Sequence, residues 1–250
     1  CVREKPDNNT WAAYEQYGYL VDAMLRCGYQ INDDFLLNKA KAQIQYVLNH
    51  AGPDGFLGPK NVPEIQWPHV VFFRAMMAEY GAIGGRKIVD ALIKHYKMEK
   101  DQNLLNVKTA REICNAEQLC WLYGLTGEQW LLDYAVQLVN DSGCVKHLLR
   151  DAPTRGHGPC NQERYKLPTI LYLYTGEKKY LDANTKTLRR MEEEHMLVDG
   201  STSAAEDFTG KGERACHETC NISDLAWNFG YTLLATGDVA QEDLARRHIQ

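Results

Sequence analysis

Residues 119–138 read LCWLYGLTGEQWLLDYAVQL, an apolar stretch, a short polar turn around Gly127, and a second apolar stretch that begins with leucine. In the second stretch, Leu131, Ala135 and Leu138 recur at spacings of four and three residues, which places them on one face of an α-helix. A glycine that follows an apolar helix is typical of a C-cap, where the backbone turns into the left-handed conformation. This stretch therefore predicts two helices joined by a glycine turn.

The same pattern returns along the chain. Further glycine turns lie at residues 27–34, 83–87, 174–178 and 235–238. The helix after the first of them carries an apolar face made of Leu36, Ala40, Ile44 and Val47. The turn glycines are roughly 40 to 60 residues apart, too irregular for a strict solenoid. Because alternation of apolar and polar residues is nearly absent, the sequence predicts an all-α fold of repeated helical hairpins.

Two architectures accommodate such hairpins. An open superhelix is typically a scaffold that binds other proteins. A closed α/α toroid gathers its long loops at one end and lines a central pocket. Three polar stretches, 51–59, 149–167 and 199–213, are predicted to be long loops, and loops on a rigid frame commonly carry function. They contain many glycines together with glutamates and one histidine, which favours the toroid and a sugar site.

Composition narrows the class of protein. The 250 residues are 44% hydrophobic and 24% charged, with a net charge of −5. The sequence contains no basic cluster, so neither a nucleic acid nor a membrane surface is expected as a partner. With no linker composition, we expect one domain over residues 1–250. The chain starts at Cys1, which indicates a start inside a longer protein and leaves the compartment open.

The eight cysteines are expected to be mostly reduced, because a chain of this length does not need disulfide bonds to fold. Cys27 and Cys120 lie in apolar helical stretches and are expected to be buried.

The densest set of chemically active residues is Cys-His-Glu-Thr-Cys at 216–220, all but the threonine being zinc-ligand types. It precedes an apolar helix. Residues two apart point to different faces of a helix, so Glu218 and Cys220 can converge on one ion only if the chain is non-helical there, as it would be just before a helix starts. A helix N-terminus also favours a thiolate. The alternative is two ordinary cysteines beside a capping glutamate.

Four further side chains are candidates for a sugar site, each with a simpler alternative. Glu206 lies among small residues beside Phe208, where desolvation would raise its pKa toward that of a general acid; otherwise it is a solvated loop residue. His157 stands between two glycines, which allow close approach of a ligand, or it is a solvent-exposed turn residue. Trp67 and His69 could contact a sugar ring, or form a core tryptophan and a capping histidine.

These residues resemble a known family. Glu-Thr-Cys at 218–220, opening a helix that ends in Leu-Leu-Ala-Thr-Gly-Asp at 233–238, resembles the bacterial β-L-arabinofuranosidases of glycoside hydrolase family 127. Asp-Gly-Phe-Leu at 54–57, the junction from Tyr123 to Gly127, and Gly156-His157 are similar as well. The resemblance covers most of the chain, although proteins of that family are considerably longer.

The resemblance implies a catalytic α/α barrel, of the (α/α)6 kind, whose nucleophile is a zinc-bound cysteine and whose reaction retains the anomeric configuration. The family holds its zinc with one Glu and three Cys, and Glu218 and Cys220 match the first two of these. Glu206 matches the acid/base, although its loop is shorter than the family's. His157 matches a histidine that contacts substrate.

The chain departs from the family in one important respect. The family's other two cysteines, the nucleophile among them, form a pair well downstream of Glu-Thr-Cys, whereas this chain ends at Gln250. We therefore expect a fragment of an incomplete (α/α)6 barrel, without the first barrel helices and the C-terminal β-sandwich domains. Zinc is expected in the intact protein, and weakly or not at all in the fragment, which we expect to be inactive alone.

Three functions remain open on the sequence. The first is a glycoside hydrolase for β-L-arabinofuranosides or similar plant sugars. The second is a metal-free α/α-barrel carbohydrate enzyme that uses carboxylates or a Tyr/His base. The third is a non-catalytic helical-repeat binding module. The oligomeric state is not indicated.

Overall fold

The structure is a computed structural model that describes residues 15–58, 66–105, 111–213 and 215–239. Within these residues, the regular secondary structure consists of ten α-helices, a 3-10 turn before α5 and a two-stranded sheet. The helices are α1 (Tyr17–Ile31), α2 (Asp34–Asn49), α3 (Gln66–Ile83), α4 (Arg86–Asp101), α5 (Asn115–Thr126), α6 (Gln129–Asp141), α7 (Cys144–Leu148), α8 (Gly158–Thr175), α9 (Lys178–Glu194) and α10 (Thr219–Thr236). The strands are β1 (Ala204–Ala205) and β2 (Asp207–Phe208). The predicted all-α class is confirmed.

The glycine turns end helices as predicted at four of the five positions. The left-handed residues directly after α3, α5, α8 and α10 are Gly84, Gly127, Gly176 and Gly237. The first turn differs, because Gly28 lies inside α1 and the left-handed cap is Asn32, with φ of 54°. A Cβ on Gly28 would lie 2.9 Å from Leu37 Cγ, so this glycine allows α1 and α2 to approach closely.

Contacts divide the chain into two compact units. Unit 1 comprises residues 1–106 and 125–127, and unit 2 comprises residues 107–124 and 128–250. This division does not decide how many parts fold independently, so the single domain over residues 1–250 stays a prediction.

Unit 1 contains α1 to α4. Helix α1 packs against α2 and α3, and α3 also contacts α4. The apolar face predicted for α2 is buried at Ala40, Ile44 and Val47. A Cβ on Gly18 would lie 2.9 Å from Val71 Cγ1, which shows how closely α1 approaches α3. This unit positions Trp67 and His69 on α3.

In unit 2, α8 packs against α9 and α10, and α6 contacts α7 and α8. The apolar face predicted for α6 is buried at Leu131, Ala135 and Leu138. Helix α8 is buried along most of its length, including several polar side chains. It therefore forms the centre of this unit and positions His157 at its N-terminus.

The predicted loop at 149–167 is wrong in its second half, because α8 begins at Gly158. Pro159 lies in the first turn of that helix, where a missing N–H leaves no hydrogen bond unmade. Gly158 and Pro159 indicate a loop in the sequence, but in the structure they form the first turn of a helix. The helix also accommodates Pro168 in its interior. Residues 199–213 form the predicted irregular stretch, with β1 and β2 inside it.

The seven described cysteines form no disulfide bonds. Cys120 is buried, as predicted, and burial raises the pKa of its thiol so that it stays protonated. The expectation for Cys27 is wrong, because it lies on the solvent side of α1. Cys1 lies outside the described residues. Among the described helices, none is long and apolar enough to cross a membrane.

Candidate active site

Glu206 forms the tip of a very tight hairpin. Ala204 pairs with Phe208 and Ala205 with Asp207, so Glu206 is the residue between the two strands. Its φ is 65°, a left-handed conformation that costs a non-glycine residue roughly 1–2 kcal/mol. Strained backbone of this kind is concentrated at functional sites. The surrounding fold thus holds this glutamate in an otherwise unfavourable conformation.

The side chain of Glu206 is 80% exposed. The expectation that small neighbours and Phe208 desolvate its carboxyl group is therefore wrong. An exposed carboxylate is accessible to a ligand, which is the property that a role in binding or catalysis requires.

His157 holds the Glu206 carboxylate. It is the N-cap of α8, and its Nδ1 accepts a hydrogen bond from the Cys160 backbone N–H at 3.2 Å. Because Nδ1 accepts, the ring proton must be on Nε2. That Nε2–H donates to Glu206 Oε2 at 2.9 Å. The helix start therefore selects the tautomer that binds the carboxylate.

Backbone bonds connect the two segments that carry this pair. The Gly158 N–H donates to the Glu206 carbonyl at 2.6 Å, and the Phe208 N–H donates to the Gly156 carbonyl at 3.0 Å. Main-chain hydrogen bonds thus join the start of α8 to the hairpin and hold the backbones of His157 and Glu206 next to each other.

Glu218 approaches the same point from a third segment. Its Oε2 accepts a hydrogen bond from the Glu206 N–H at 2.9 Å. The segment before it is held alongside β1, because the Ala204 N–H donates to the Cys216 carbonyl at 2.9 Å. Ligand atoms of His157, Glu206 and Glu218 all lie within 4.8 Å of one another. One imidazole and two carboxylates therefore converge on one partly exposed place.

The start of α10 meets only half of the condition that the sequence set for shared ligation, because Glu218 lies outside the helix whereas Cys220 lies inside it. Glu218 is the extended N-cap, with φ of −113° and ψ of 126°, and Cys220 is the second residue of the helix. Cys220 is exposed and is not part of a disulfide bond. Two groups of three or more close ligand atoms occur in the described parts of the chain, and neither includes Cys220. Its role as a metal ligand stays a prediction.

His217, next to Glu218, has a different partner. Its Nε2 lies 2.7 Å from Asp199 Oδ2. This pair connects the start of α10 to the loop after α9. It engages the His217 imidazole, which the sequence offers as a zinc-ligand type. Glu218 and Cys220 remain the candidates from the Cys-His-Glu-Thr-Cys stretch.

Trp67 and His69, both in unit 1, are buried and have protein partners. The indole N–H of Trp67 donates to the Glu15 carboxylate. His69 Nε2 lies 2.6 Å from the Leu57 carbonyl. Their contacts with a sugar stay predictions. The same unit contains a buried pair that the sequence reasoning missed, His95 and Glu99 on α4, although the i, i+4 spacing of a histidine and a glutamate could have indicated it.

Comparison with known proteins identifies a family to which this sequence is similar. A sequence profile described as the catalytic domain of GH127 β-L-arabinofuranosidase matches residues 14–241. A search of curated protein sequences finds no match.

Three solved structures are similar in fold. A protein described as a glycoside hydrolase matches with a TM-score of 0.74 and 17% identity over 99% of this chain and 46% of its own. A GH127 β-L-arabinofuranosidase from Geobacillus stearothermophilus T6 matches with a TM-score of 0.73 and 16% identity over 96% of this chain and 46% of its own. A sugar epimerase from a ruminal bacterium matches with a TM-score of 0.64 and 13% identity, over 93% and 73%.

At these identities the likenesses show the fold, which is the predicted α/α toroid class. The chain spans about half the length of the two glycoside hydrolases.

Proposed function

Because the chain belongs to the GH127 β-L-arabinofuranosidase family, we propose that it is part of the catalytic domain of a retaining glycoside hydrolase for β-L-arabinofuranosides or similar plant-derived sugars. The observation that carries this proposal is the convergence of His157, Glu206 and Glu218 within 4.8 Å. Glycoside hydrolysis needs a carboxyl group that exchanges a proton with the glycosidic oxygen. The hairpin presents one such group to solvent, in a backbone conformation that the fold must maintain at a cost.

Glu206 acts as the acid/base in this proposal. In the first step its carboxyl group donates a proton to the departing glycosidic oxygen, and in the second it accepts a proton from the water that releases the sugar. The Nε2–H of His157, 2.9 Å from Glu206 Oε2, keeps the carboxyl group oriented between the steps. The half-exposed position of His157 also leaves its ring beside any sugar bound at Glu206.

Glu218 and Cys220 contribute ligands to a zinc ion in this proposal. The donor chemistry fits, since carboxylate and thiolate are both zinc ligands and the start of α10 favours negative charge. Glu218 accepts one hydrogen bond from Glu206, and a carboxylate has capacity for further partners. When bound, zinc makes a cysteine thiolate available at neutral pH. Two ligands are fewer than a zinc site needs, so the proposal requires further ligands, among them the nucleophile, from elsewhere in the intact protein.

The test is Glu206→Gln in the intact protein. The amide keeps the shape of the side chain but cannot exchange a proton, so turnover of a natural arabinofuranoside should fall about 100- to 10,000-fold. An aryl glycoside with a good leaving group needs little protonation and should lose less in the first step. Glu213→Gln, at an exposed residue in the same stretch, is the control and should keep full turnover. Unchanged turnover of the natural substrate in Glu206→Gln would remove Glu206 from the mechanism.

A metal-free carbohydrate enzyme is a second candidate, favoured by one observation. The His157–Glu206 pair joins an imidazole to a carboxylate at hydrogen-bonding distance and could exchange protons with a sugar without a metal. The sugar epimerase of similar fold shows that this architecture is not confined to hydrolases. The metal content of the intact protein separates the two candidates.

A further inference from the structure

A second polar cluster lies in unit 1, whereas Glu206 lies in unit 2. It consists of His69 on α3 with His95 and Glu99 on α4, whose side chains are 5%, 0% and 0% exposed. Aromatic rings surround it: Phe73 stacks on His69 at 5.0 Å, and Phe56 meets His69 edge-on at 5.1 Å. Three ionisable groups in an apolar interior require an explanation, since burial penalises their charged forms.

The two histidines hold both backbone groups of Leu57. The Leu57 N–H donates to His95 Nδ1 at 3.1 Å, and the Leu57 carbonyl accepts from His69 Nε2 at 2.6 Å. These bonds fix the tautomers. A carbonyl only accepts, so His69 carries its proton on Nε2 and leaves Nδ1 bare. A backbone N–H only donates, so His95 Nδ1 is bare and its proton is on Nε2.

Glu99 faces the other nitrogen of each ring. Its Oε1 lies 3.8 Å from His69 Nδ1, and its Oε2 lies 3.5 Å from His95 Nε2. These four atoms are buried without a hydrogen-bond partner. An ionised Glu99 could accept a hydrogen bond from the Nε2–H of His95. Its other oxygen would then oppose His69 Nδ1, and neither of these two acceptor atoms would carry a proton. A protonated Glu99 satisfies both rings, since it donates to His69 and accepts from His95.

We propose that Glu99 is held as a neutral acid between two neutral imidazoles, and that this buried proton anchors the Asp54–Gly55–Phe56–Leu57 turn. The hydrogen bonds then run from Glu99 Oε1–H to His69 Nδ1 and from His95 Nε2–H to Glu99 Oε2. Both separations exceed a formed hydrogen bond, so the network closes through a small movement of the side chains. Loss of the proton breaks one of these bonds and leaves a charge in a dry interior, which loosens the support of Leu57.

The same three residue types could also hold a metal ion, and the ligand atoms lie within 4.8 Å of one another. The tautomers oppose this. A metal on His95 Nε2 would force the ring proton onto Nδ1, where it would meet the Leu57 N–H at 3.1 Å, donor against donor. Of the two histidines, only His69 has the arrangement of a metal-bound histidine, because its Nε2–H donates to the Leu57 carbonyl and leaves Nδ1 for a metal. The cluster therefore fits a proton better than a metal.

Electrostatics supports the neutral state. Burial raises the pKa of Glu99 from 4.5 to about 7, opposed by His69. Burial lowers the pKa of His69 and of His95 from 6.5 to about 3. The ionisable groups that act on the cluster are Glu99 and the two histidines themselves, and Asp54 on the turn, which partly offsets the shift of His95.

The sign of the pH dependence follows from these directions. Between pH 4.5 and about 7 the folded protein holds a proton at Glu99 that the unfolded chain has lost, so stability falls as pH rises and stays lower above pH 7. The histidines act in the opposite direction and in acid, because between about pH 3 and pH 6.5 only the unfolded chain protonates them. Glu99 is thus the group of this cluster that makes alkaline pH unfavourable.

The test is Glu99→Gln in the full chain. The amide can donate to His69 and accept from His95 at any pH, so it imitates the protonated acid. Between pH 5 and pH 8, the folding equilibrium constant of wild type should fall relative to this variant by on the order of 100-fold. Glu193→Gln, which removes an exposed carboxylate on α9, is the matched control and should follow wild type at each pH. A difference between Glu99→Gln and wild type that is the same at both pH values would overturn the proposal.

A second measurement does not depend on the variant. In the 15N-histidine-labelled wild type, the ring nitrogens of His69 and His95 should report neutral imidazoles with the proton on Nε2 at pH 7. An imidazolium, or a proton on His95 Nδ1, would contradict the network. Stabilisation by added Zn2+ that disappears in Glu99→Gln would overturn it in favour of a metal site.

Discussion

Gly158→Ala tests whether the arrangement around Glu206 is as rigid as the hydrogen bonds indicate. Gly158 lies between His157 and the body of α8, and its N–H donates to the Glu206 carbonyl. An added Cβ would lie 2.7 Å from Asn221 Oδ1 and 2.9 Å from Ala204 Cβ. Neither neighbour has room to move, since both are fully buried. Asn221 is also held by two hydrogen bonds to Thr202, at 2.9 and 2.7 Å.

The magnitude follows from two opposing effects. Alanine in place of glycine at an unhindered helical position stabilises a protein by about 0.5–1 kcal/mol. Overpacking a rigid site costs about 1–3 kcal/mol. Both contacts are shorter than real Cβ contacts and involve side chains that cannot rotate away, so the second effect should dominate. We expect a net destabilisation of roughly 1–2 kcal/mol, with α8 displaced from β1 and α10.

The assay is urea unfolding at equilibrium, followed by circular dichroism, with the midpoint and slope fitted for each variant. Gly230→Ala is the matched control, because Gly230 lies in α10 of the same unit and a Cβ there would meet nothing within 4 Å. It should raise stability. Adding Ala204→Gly to Gly158→Ala removes one of the two clashes and should restore part of the loss. If Gly158→Ala is as stable as Gly230→Ala, the close approach of α8 to β1 and α10 is incorrect.

Two further predictions concern buried charge and metal. Lys166 is fully buried, with Nζ 2.9 Å from Glu163 and 3.3 Å from Glu117. Lys166→Met should remove the positive charge beside both carboxylates and cost about 3–5 kcal/mol in urea unfolding. A second change, Glu117→Gln, should recover part of this loss, and simple additivity of the two changes would contradict the coupling. The intact protein should contain about one zinc per chain by elemental analysis, and Cys220→Ala should lower that content with its helical circular dichroism spectrum retained. If intact wild type purified without chelator contains no zinc, Cys220 is not a ligand and the metal-free alternative is favoured.

Some features could be read from residues that are close in sequence. The helices of unit 2 follow from apolar spacing, as Leu131, Ala135 and Leu138 show, and their ends follow from glycines such as Gly176. The extended conformation of Glu218 before α10 follows from the same local rules, since an N-cap residue lies outside the helix. The start of α8 was missed because Gly158 and Pro159 favour both a turn and a first helical turn, and burial against α10 decides between the two.

The sequence by itself determined the helical class, the positions of four helix ends and the identity of the candidate residues, because these depend on periodicity and on backbone preferences that act within a few residues. Only the tertiary structure decided what these side chains face. Glu206 is exposed at a hairpin tip, whereas His69 is enclosed with Glu99. The residues next to them in sequence indicate neither the exposure nor the burial. The bond from His157 to Glu206 spans 49 residues. Such pairs form only when packing brings distant segments together, and burial then sets which of their groups can carry charge.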